Sequence, residues 1–295
     1  MSRCSFAAHF AGRTVLVTGH TGFKGAWLTA WLQQLGARVV GLSLAPDQDS
    51  LFVQAGLERG NDHRVGDVRD LATVRAVLDD TRPDTVFHLA AQSLVRLSYD
   101  EPAATFATNV LGTTNVLEAC RTVPGVAAIV VVTTDKCYEN KEWAWAYRES
   151  DALGGQDPYS ASKACAELVT AAYRRSFFAS HRPAVASARA GNVIGGGDWA
   201  KDRILPDIVR AAMAGTAAVI RNPASVRPWQ HVLEPLAGYL LLAQRLTDAP
   251  ARAADAWNFG PRDDEPVPVA DIAQRFVARL GRGTLELRAP DPSAP

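Results

Sequence analysis

Tyr159-Ser160-Ala161-Ser162-Lys163 places a phenol and an ammonium four residues apart. On a helix that spacing puts both on one face. The cation favours phenolate over phenol and draws the tyrosine's pKa towards neutrality. Such a phenolate can take a proton from an alcohol while hydride leaves the same carbon. A second group, Thr134-Asp135-Lys136, closes an apolar run. Thr134 can orient a substrate hydroxyl. Asp135 becomes a general acid if partial burial raises its pKa, and Lys136 a base if desolvation or a neighbouring cation such as Lys163 lowers its own. A third group, Gly19-His20-Thr21-Gly22-Phe23-Lys24-Gly25, follows the run Thr14-Val15-Leu16-Val17-Thr18 and precedes an amphipathic segment with Trp27, Leu28, Trp31, Leu32 and Leu35. A strand that ends in glycines and opens a helix lets backbone N–H groups and the helix dipole meet a pyrophosphate.

These groups need a scaffold that brings strand ends together. Apolar runs recur at 14–18, 38–42, 84–90 and 126–133, with a shorter one at 63–66, and helical spacing fills 24–35, 70–80, 103–120 and 159–179. Alternating β and α segments predict an α/β fold, a Rossmann-like doubly wound parallel sheet with its ligand edge at the strand C-termini. The alternation stops near residue 190, where glycines at 191–197 and scattered prolines begin. The division expected is a dinucleotide-binding domain over 1–190 and a smaller C-terminal substrate lobe over 191–295, interleaved with the first.

At the strand ends, Asp67 can accept from an adenine amino group or serve as a turn or N-cap aspartate. Leu89-Ala90-Ala91 is small enough for close passage of a dinucleotide. The second strand ends at Ser43 without the acidic residue that commonly binds ribose hydroxyls; Asp47 and Asp49 come later, and no arginine follows to hold a 2′-phosphate. NAD is therefore expected over NADP. The 295 residues carry 31 basic and 31 acidic side chains, a balance that points away from nucleic acid and acidic membranes. Cys4, Cys120, Cys137 and Cys165 have neither disulfide nor metal spacing and read as reduced thiols in a cytoplasmic protein. No apolar run is long enough to span a bilayer, and no metal site is expected.

Gly19, Gly22 and Gly25 with Tyr159 and Lys163 resemble the extended short-chain dehydrogenase/reductases. Longer strings narrow the likeness to the nucleotide-sugar 4,6-dehydratases of the CDP-sugar branch: 18–25, 134–140, 157–163, 190–199, 202–207 and 227–232. The resemblance spans roughly residues 10–288 and implies a redox-neutral dehydration of CDP-glucose for deoxysugar biosynthesis. Tyr159 would remove the C4 hydroxyl proton as hydride passes to NAD. Asp135 would be the acid at C6 and Lys136 the C5 base, standing where dTDP-sugar relatives carry glutamate. The resemblance assigns Gly19, Thr21, Gly22, Phe23, Lys24, Gly25, Ser43, Asp67, Val68, Leu89, Ala90, Ala91 and Thr108, with Tyr159 and Lys163, to the cofactor. It assigns Gln92, Ser93, Asn192, Arg203, Arg227 and His231 to the CDP-sugar. It also implies a homodimer, with a tetramer as the alternative, formed by helices whose apolar positions (Phe106, Val110, Leu117, Leu168, Val169, Tyr173) are interface or core. Relatives continue past Pro295, so part of the substrate lid is expected to be missing. A nucleotide-sugar 4-epimerase and a catalytically silent dinucleotide-binding scaffold are the rival readings.

Overall fold

The computed structural model describes residues 6–143, 145–179, 183–261 and 267–289; Cys4 lies outside them. Seven strands form a wholly parallel sheet: β1 (Thr14–Thr18), β2 (Arg38–Ser43), β3 (Asp62–Val65), β4 (Thr85–His88), β5 (Ala128–Val132), β6 (Ala184–Ala190) and, further along the chain, a seventh at Ala256–Phe259. From one edge the order is Ala256–Phe259, β6, β5, β4, β1, β2, β3. The chain winds outward from β1 to β3, returns to β4, and winds the other way. The switch therefore falls between β1 and β4, where Thr18 lies opposite His88. In sheets of this kind the ligand crevice lies beyond the strand ends at such a switch.

Burial explains the strand sequences. β4 and β5 are buried along their whole length because helices cover both faces, so they read as unbroken apolar runs. On one face Leu16, Val40, Val86, Ile129 and Val185 pack with Val74, Leu78, Val116 and Leu117 from the helices Leu71–Thr81 and Gly112–Thr122. Leu117 is thus core, whereas Phe106 and Leu168 are exposed. The segment expected as one helix over 103–120 is instead Pro102–Phe106, a π-turn at Ala107–Leu111, and Gly112–Thr122. The π-turn carries Thr108 and buries Asn109. Inserted turns of this kind recur at functional sites.

The chain divides into two compact units: everything up to Ala190 together with Val232–Phe259, and Gly191–His231 together with the chain from Gly260 onward. Residues 232–259 group with the first unit rather than with the residues that flank them in sequence. There the helix Leu233–Asp248 packs on β5 and β6, and Ala256–Phe259 adds the sheet's edge strand. The second unit contains β7 (Val193–Ile194) paired with β9 (Gln230–His231), and β8 (Ala217–Ile220) paired with β11 (Thr284–Leu287); β10 is the edge strand Ala256–Phe259. Its small core joins Ile208, Ala218, Ile220 and Ala273.

Candidate active site

β1 delivers the chain into the glycine turn. Gly19 has φ of +73°, and a Cβ on it would lie 2.7 Å from the Ala90 nitrogen, so the turn and the chain after β4 touch backbone to backbone. A Cβ on Gly25 would collide with the Gly19 carbonyl oxygen. Gly22 is the N-cap of the helix Phe23–Gln34, and no side chain caps it. The turn is otherwise open at Gly22, where a Cβ would meet only the Gly19 carbonyl, at 3.4 Å. Uncapped N–H groups behind an open glycine fit a pyrophosphate. Thr21 and Ser43 share a hydrogen bond of 2.7 Å, which places the Ser43 hydroxyl beside the turn. Gly25→Ala is expected to leave the purified protein without bound dinucleotide, measured as cofactor released per chain; full occupancy would show that the turn tolerates the methyl group.

The crevice is braced by residues that sequence reasoning passed over. Ala90 N–H donates to the Thr18 hydroxyl (3.2 Å), which lies 2.7 Å from His88 Nδ1. His88 Nε2 lies 3.0 Å from the Thr113 hydroxyl, which in turn donates to the Asn109 carbonyl (2.7 Å). Burial, and then the nearby Lys163 cation, push His88 down to about 3, so it works as a neutral bridge. Asn109 accepts from Gln92 N–H (2.8 Å) and donates to the Gln92 carbonyl (3.0 Å) and to Ser162 (2.8 Å). The Gln92 amide, expected on the substrate, donates instead to Leu94 and Thr105 (3.0 Å each) and accepts from Leu94 N–H (2.5 Å). It stiffens its own loop, while Ser93 beside it is exposed. The Asp67 carboxylate is likewise held locally: it caps Arg69 N–H (2.8 Å) and pairs with the Arg69 guanidinium (2.6 Å), which keeps it below the usual carboxylate range.

The helix Pro158–Ser176 begins sharply. Pro158 occupies its first turn, and the Asp157 carboxylate accepts from Ser160 N–H (2.9 Å). Ser98 Oγ accepts from Tyr159 N–H (3.1 Å). Tyr159 is almost wholly buried. Lys163 is buried too, and its Nζ donates to the Val132 carbonyl at the end of β5 (3.3 Å). Burial pulls the Lys163 ammonium down to about 8, against the opposing pull of the Glu167 carboxylate. Just past β5 the 3-10 turn Asp135–Cys137 packs on this helix. The Thr134 hydroxyl donates to Asp135 Oδ1 (3.0 Å) and accepts from Lys136 N–H (3.4 Å). Asp135 is half-buried and Lys136 exposed.

Behind these groups lies a buried polar network. Glu167, one helical turn past Lys163, accepts from Thr133, from Ser187 (2.7 Å) and from the Arg189 guanidinium (2.7 Å). Arg189 also donates to the Tyr138 hydroxyl (2.7 Å) and the Glu149 carbonyl (3.0 Å), and Tyr138 donates to Asn258 on β10 (2.7 Å). Burial works against the Arg189 charge, but the Glu167 carboxylate wins and raises its pKa.

The remaining expected residues lie in the second unit. Asn192 is half-buried, and its carbonyl accepts from Gln230 N–H (3.2 Å). Arg203 is half-buried at the N-cap of the helix Ile204–Ala214. Arg227 and His231 are exposed. Guanidinium groups open to solvent at Arg227 and partly so at Arg203 suit an anionic ligand.

Residues 15–260 match the model of the NAD dependent epimerase/dehydratase family. The chain is 51% identical, over 92% of its length and 77% of the relative's, to the CDP-glucose 4,6-dehydratase of Salmonella typhimurium. Its fold superposes on an epimerase from Methanothermobacter thermautotrophicus with a TM-score of 0.82 (24% identity; 97% of this chain, 82% of that one). It superposes on a dTDP-glucose 4,6-dehydratase from Streptomyces venezuelae, solved with NAD bound, with a TM-score of 0.80 (25% identity; 94% and 85%).

Proposed function

This chain belongs to the NAD dependent epimerase/dehydratase family, and on that premise we propose that it converts CDP-glucose to CDP-4-keto-6-deoxyglucose. NAD, when bound, supplies the hydride acceptor for C4 and the donor for C6. The glycine turn would hold its pyrophosphate, and Ser43 its ribose. NAD is preferred over NADP because β2 ends at Ser43 and Leu44-Ala45 follow, with no cation there for a 2′-phosphate.

Tyr159, beside the Lys163 ammonium, accepts the C4 hydroxyl proton. The C4 ketone acidifies the C5 hydrogen, which a base must remove while an acid protonates the departing C6 hydroxyl. Asp135, oriented by Thr134, is the acid. Lys136, exposed on the same turn, is the base. Asn192, Arg203, Arg227 and His231 hold the CDP diphosphate and sugar. The reading rests most on the Thr134–Asp135 hydrogen bond at the strand end packed against the tyrosine helix. A 4-epimerase needs Tyr159 and Lys163 but no acid there.

Incubation with CDP-glucose tests this. The expected product is a 4-keto-6-deoxy sugar, which absorbs in strong base; CDP-galactose would mark an epimerase, and recovery of unchanged CDP-glucose a silent scaffold. Lys136→Met is expected to suppress solvent-deuterium incorporation at C5, and undiminished incorporation would remove Lys136 from the base role. The exposed apolar side chains of Phe106, Leu111 and Leu168 suit a homodimer through the stretch 102–111 and the Pro158–Ser176 helix. The free thiols Cys120, Cys137 and Cys165 suit the cytoplasm.

A further inference from the structure

Two hydroxyls flank the turn that carries Asp135 and Lys136, and one buried ion pair holds both. Ahead of the turn, the Thr133 hydroxyl donates to Glu167. Behind it, the Arg189 guanidinium donates to the Tyr138 hydroxyl (2.7 Å). Glu167 and Arg189 are themselves joined at 2.7 Å, deep in the interior. The Tyr138 hydroxyl has a second tie, donating to Asn258 on the edge strand Ala256–Phe259 (2.7 Å). Its ring is buried and stacks on Tyr147, 5.0 Å between centres and 10° between planes. The same ring packs with Cys137 and with Ala164, next to Lys163 on the Tyr159 helix. The backbone adds a third link. Tyr138 pairs antiparallel with Leu153, Gly154 N–H donates to the Cys137 carbonyl (2.8 Å), and Glu139 N–H donates to the Ala152 carbonyl (2.9 Å). This short ladder stands just ahead of Asp157, the cap of the Tyr159 helix. Thr134 orients Asp135 within the turn; Thr133 and Tyr138 orient the turn within the fold.

We propose that Tyr138 is a positioning residue for the elimination step: its hydroxyl, held between Arg189 and Asn258, fixes the turn of Asp135 and Lys136 against the Tyr159 helix. The inference rests on the dehydratase reading above. Two separately placed sets of groups act in that reaction. Tyr159 and Lys163 serve the oxidation at C4. In the elimination, neutral Lys136 takes the C5 proton and the C5–H electron pair becomes the second C5–C6 bond. The C6–O bond breaks, and its oxygen takes the Asp135 proton and leaves as water. C6 then regains the hydride first taken from C4, and C5 the proton held by Lys136. Solvent returns a proton to Asp135 and removes the one held by Tyr159. A misplacement of about 1 Å at groups of this kind costs on the order of 10²-fold in rate. Tyr159 has its own supports, the Asp157 cap and the Ser98 hydroxyl. Loosening Tyr138 should therefore reach the elimination and spare the oxidation.

The test is rapid mixing of the full chain, reconstituted with NAD, with CDP-glucose, followed by the near-ultraviolet absorbance of the reduced dinucleotide. That absorbance rises with oxidation at C4 and falls once elimination lets the hydride return. In Tyr138→Phe the rise should keep its wild-type rate constant, while the fall slows roughly 10–10²-fold, so the reduced form builds up. Asn258→Ala removes the other partner of the same hydroxyl and should also slow the fall selectively. Tyr147→Phe removes a hydroxyl bonded to Lys141 N–H and Asn140 and should change neither phase. Rate constants do not depend on the folded fraction, so partial misfolding lowers the amplitude alone. If Tyr138→Phe does not fold, Asn258→Ala decides. Slowing of both phases together, or of neither, would make Tyr138 a purely structural residue and overturn the proposal. A wild type that forms no 4-keto-6-deoxy sugar would refute the dehydratase reading itself, a result distinct from unsplit phases in an active enzyme.

Discussion

Replacing Tyr159 with phenylalanine is expected to lower kcat for CDP-glucose by about 10²–10⁴-fold while leaving cofactor content and thermal midpoint close to wild type. The reaction is redox-neutral, so nothing happens at C5 or C6 until C4 has been oxidised, and that oxidation needs an acceptor for the hydroxyl proton. The substitution removes one oxygen. It leaves the Tyr159 N–H bond to Ser98 and the Asp157 cap in place, so the helix keeps its start. Loss of kcat together with loss of bound cofactor would instead mean that the phenol holds the dinucleotide. Unchanged turnover would dismiss Tyr159 as the proton acceptor. The pH profile of wild-type kcat/KM adds a signature: its alkaline limb should fall as the Lys163 ammonium is lost through about 8, because the phenolate then loses its cation.

What could be read from the chain divides along a physical line. Interactions made within one helical turn or at one strand end leave a fixed spacing in sequence. The glycine turn, Asp157-Pro158 ahead of Tyr159, and Thr134 next to Asp135 are of this kind. Interactions closed by the fold leave none. Asn109 meets Ser162, and Ser98 meets Tyr159, across more than fifty residues. His88 carries no local mark of its place between Thr18 and Thr113. β6, Ala-Val-Ala-Ser-Ala-Arg-Ala, is fully buried yet does not read as a strand, because alanine is depleted in strands and its serine and arginine look like surface. Both polar residues are there because Glu167 satisfies them. The edge strand Ala256–Phe259 is four residues long and only partly buried, so nothing in composition separates it from the second unit. Lys136 shows the converse limit: its place beside Asp135 was legible, but its exposure depends on which way the turn after β5 faces.

Arg189→Met should destabilise the protein by about 3–5 kcal/mol, because it strands the Glu167 carboxylate in the interior. Both side chains are almost fully shielded, 4% and 2% exposed, and lie 2.7 Å apart. The methionine also deprives the Tyr138 hydroxyl and the Glu149 carbonyl of their guanidinium donor. The urea midpoint should fall with the m-value unchanged; a shift below ~1 kcal/mol would mean that water reaches the carboxylate. The double variant Glu167→Leu with Arg189→Met should regain part of the loss, since an apolar pair removes the stranded carboxylate while the buried Thr133 and Ser187 hydroxyls lose their acceptor. Activity should not follow stability. Glu167 holds Thr133 and raises the Lys163 pKa, so its removal lets Lys163 lose its proton at lower pH. The alkaline limb of kcat/KM should therefore move below about 8 in the double variant even where the fold has recovered. Were the limb to stay in place, Glu167 would be a structural anchor alone, and the charge state of Lys163 would be set by burial.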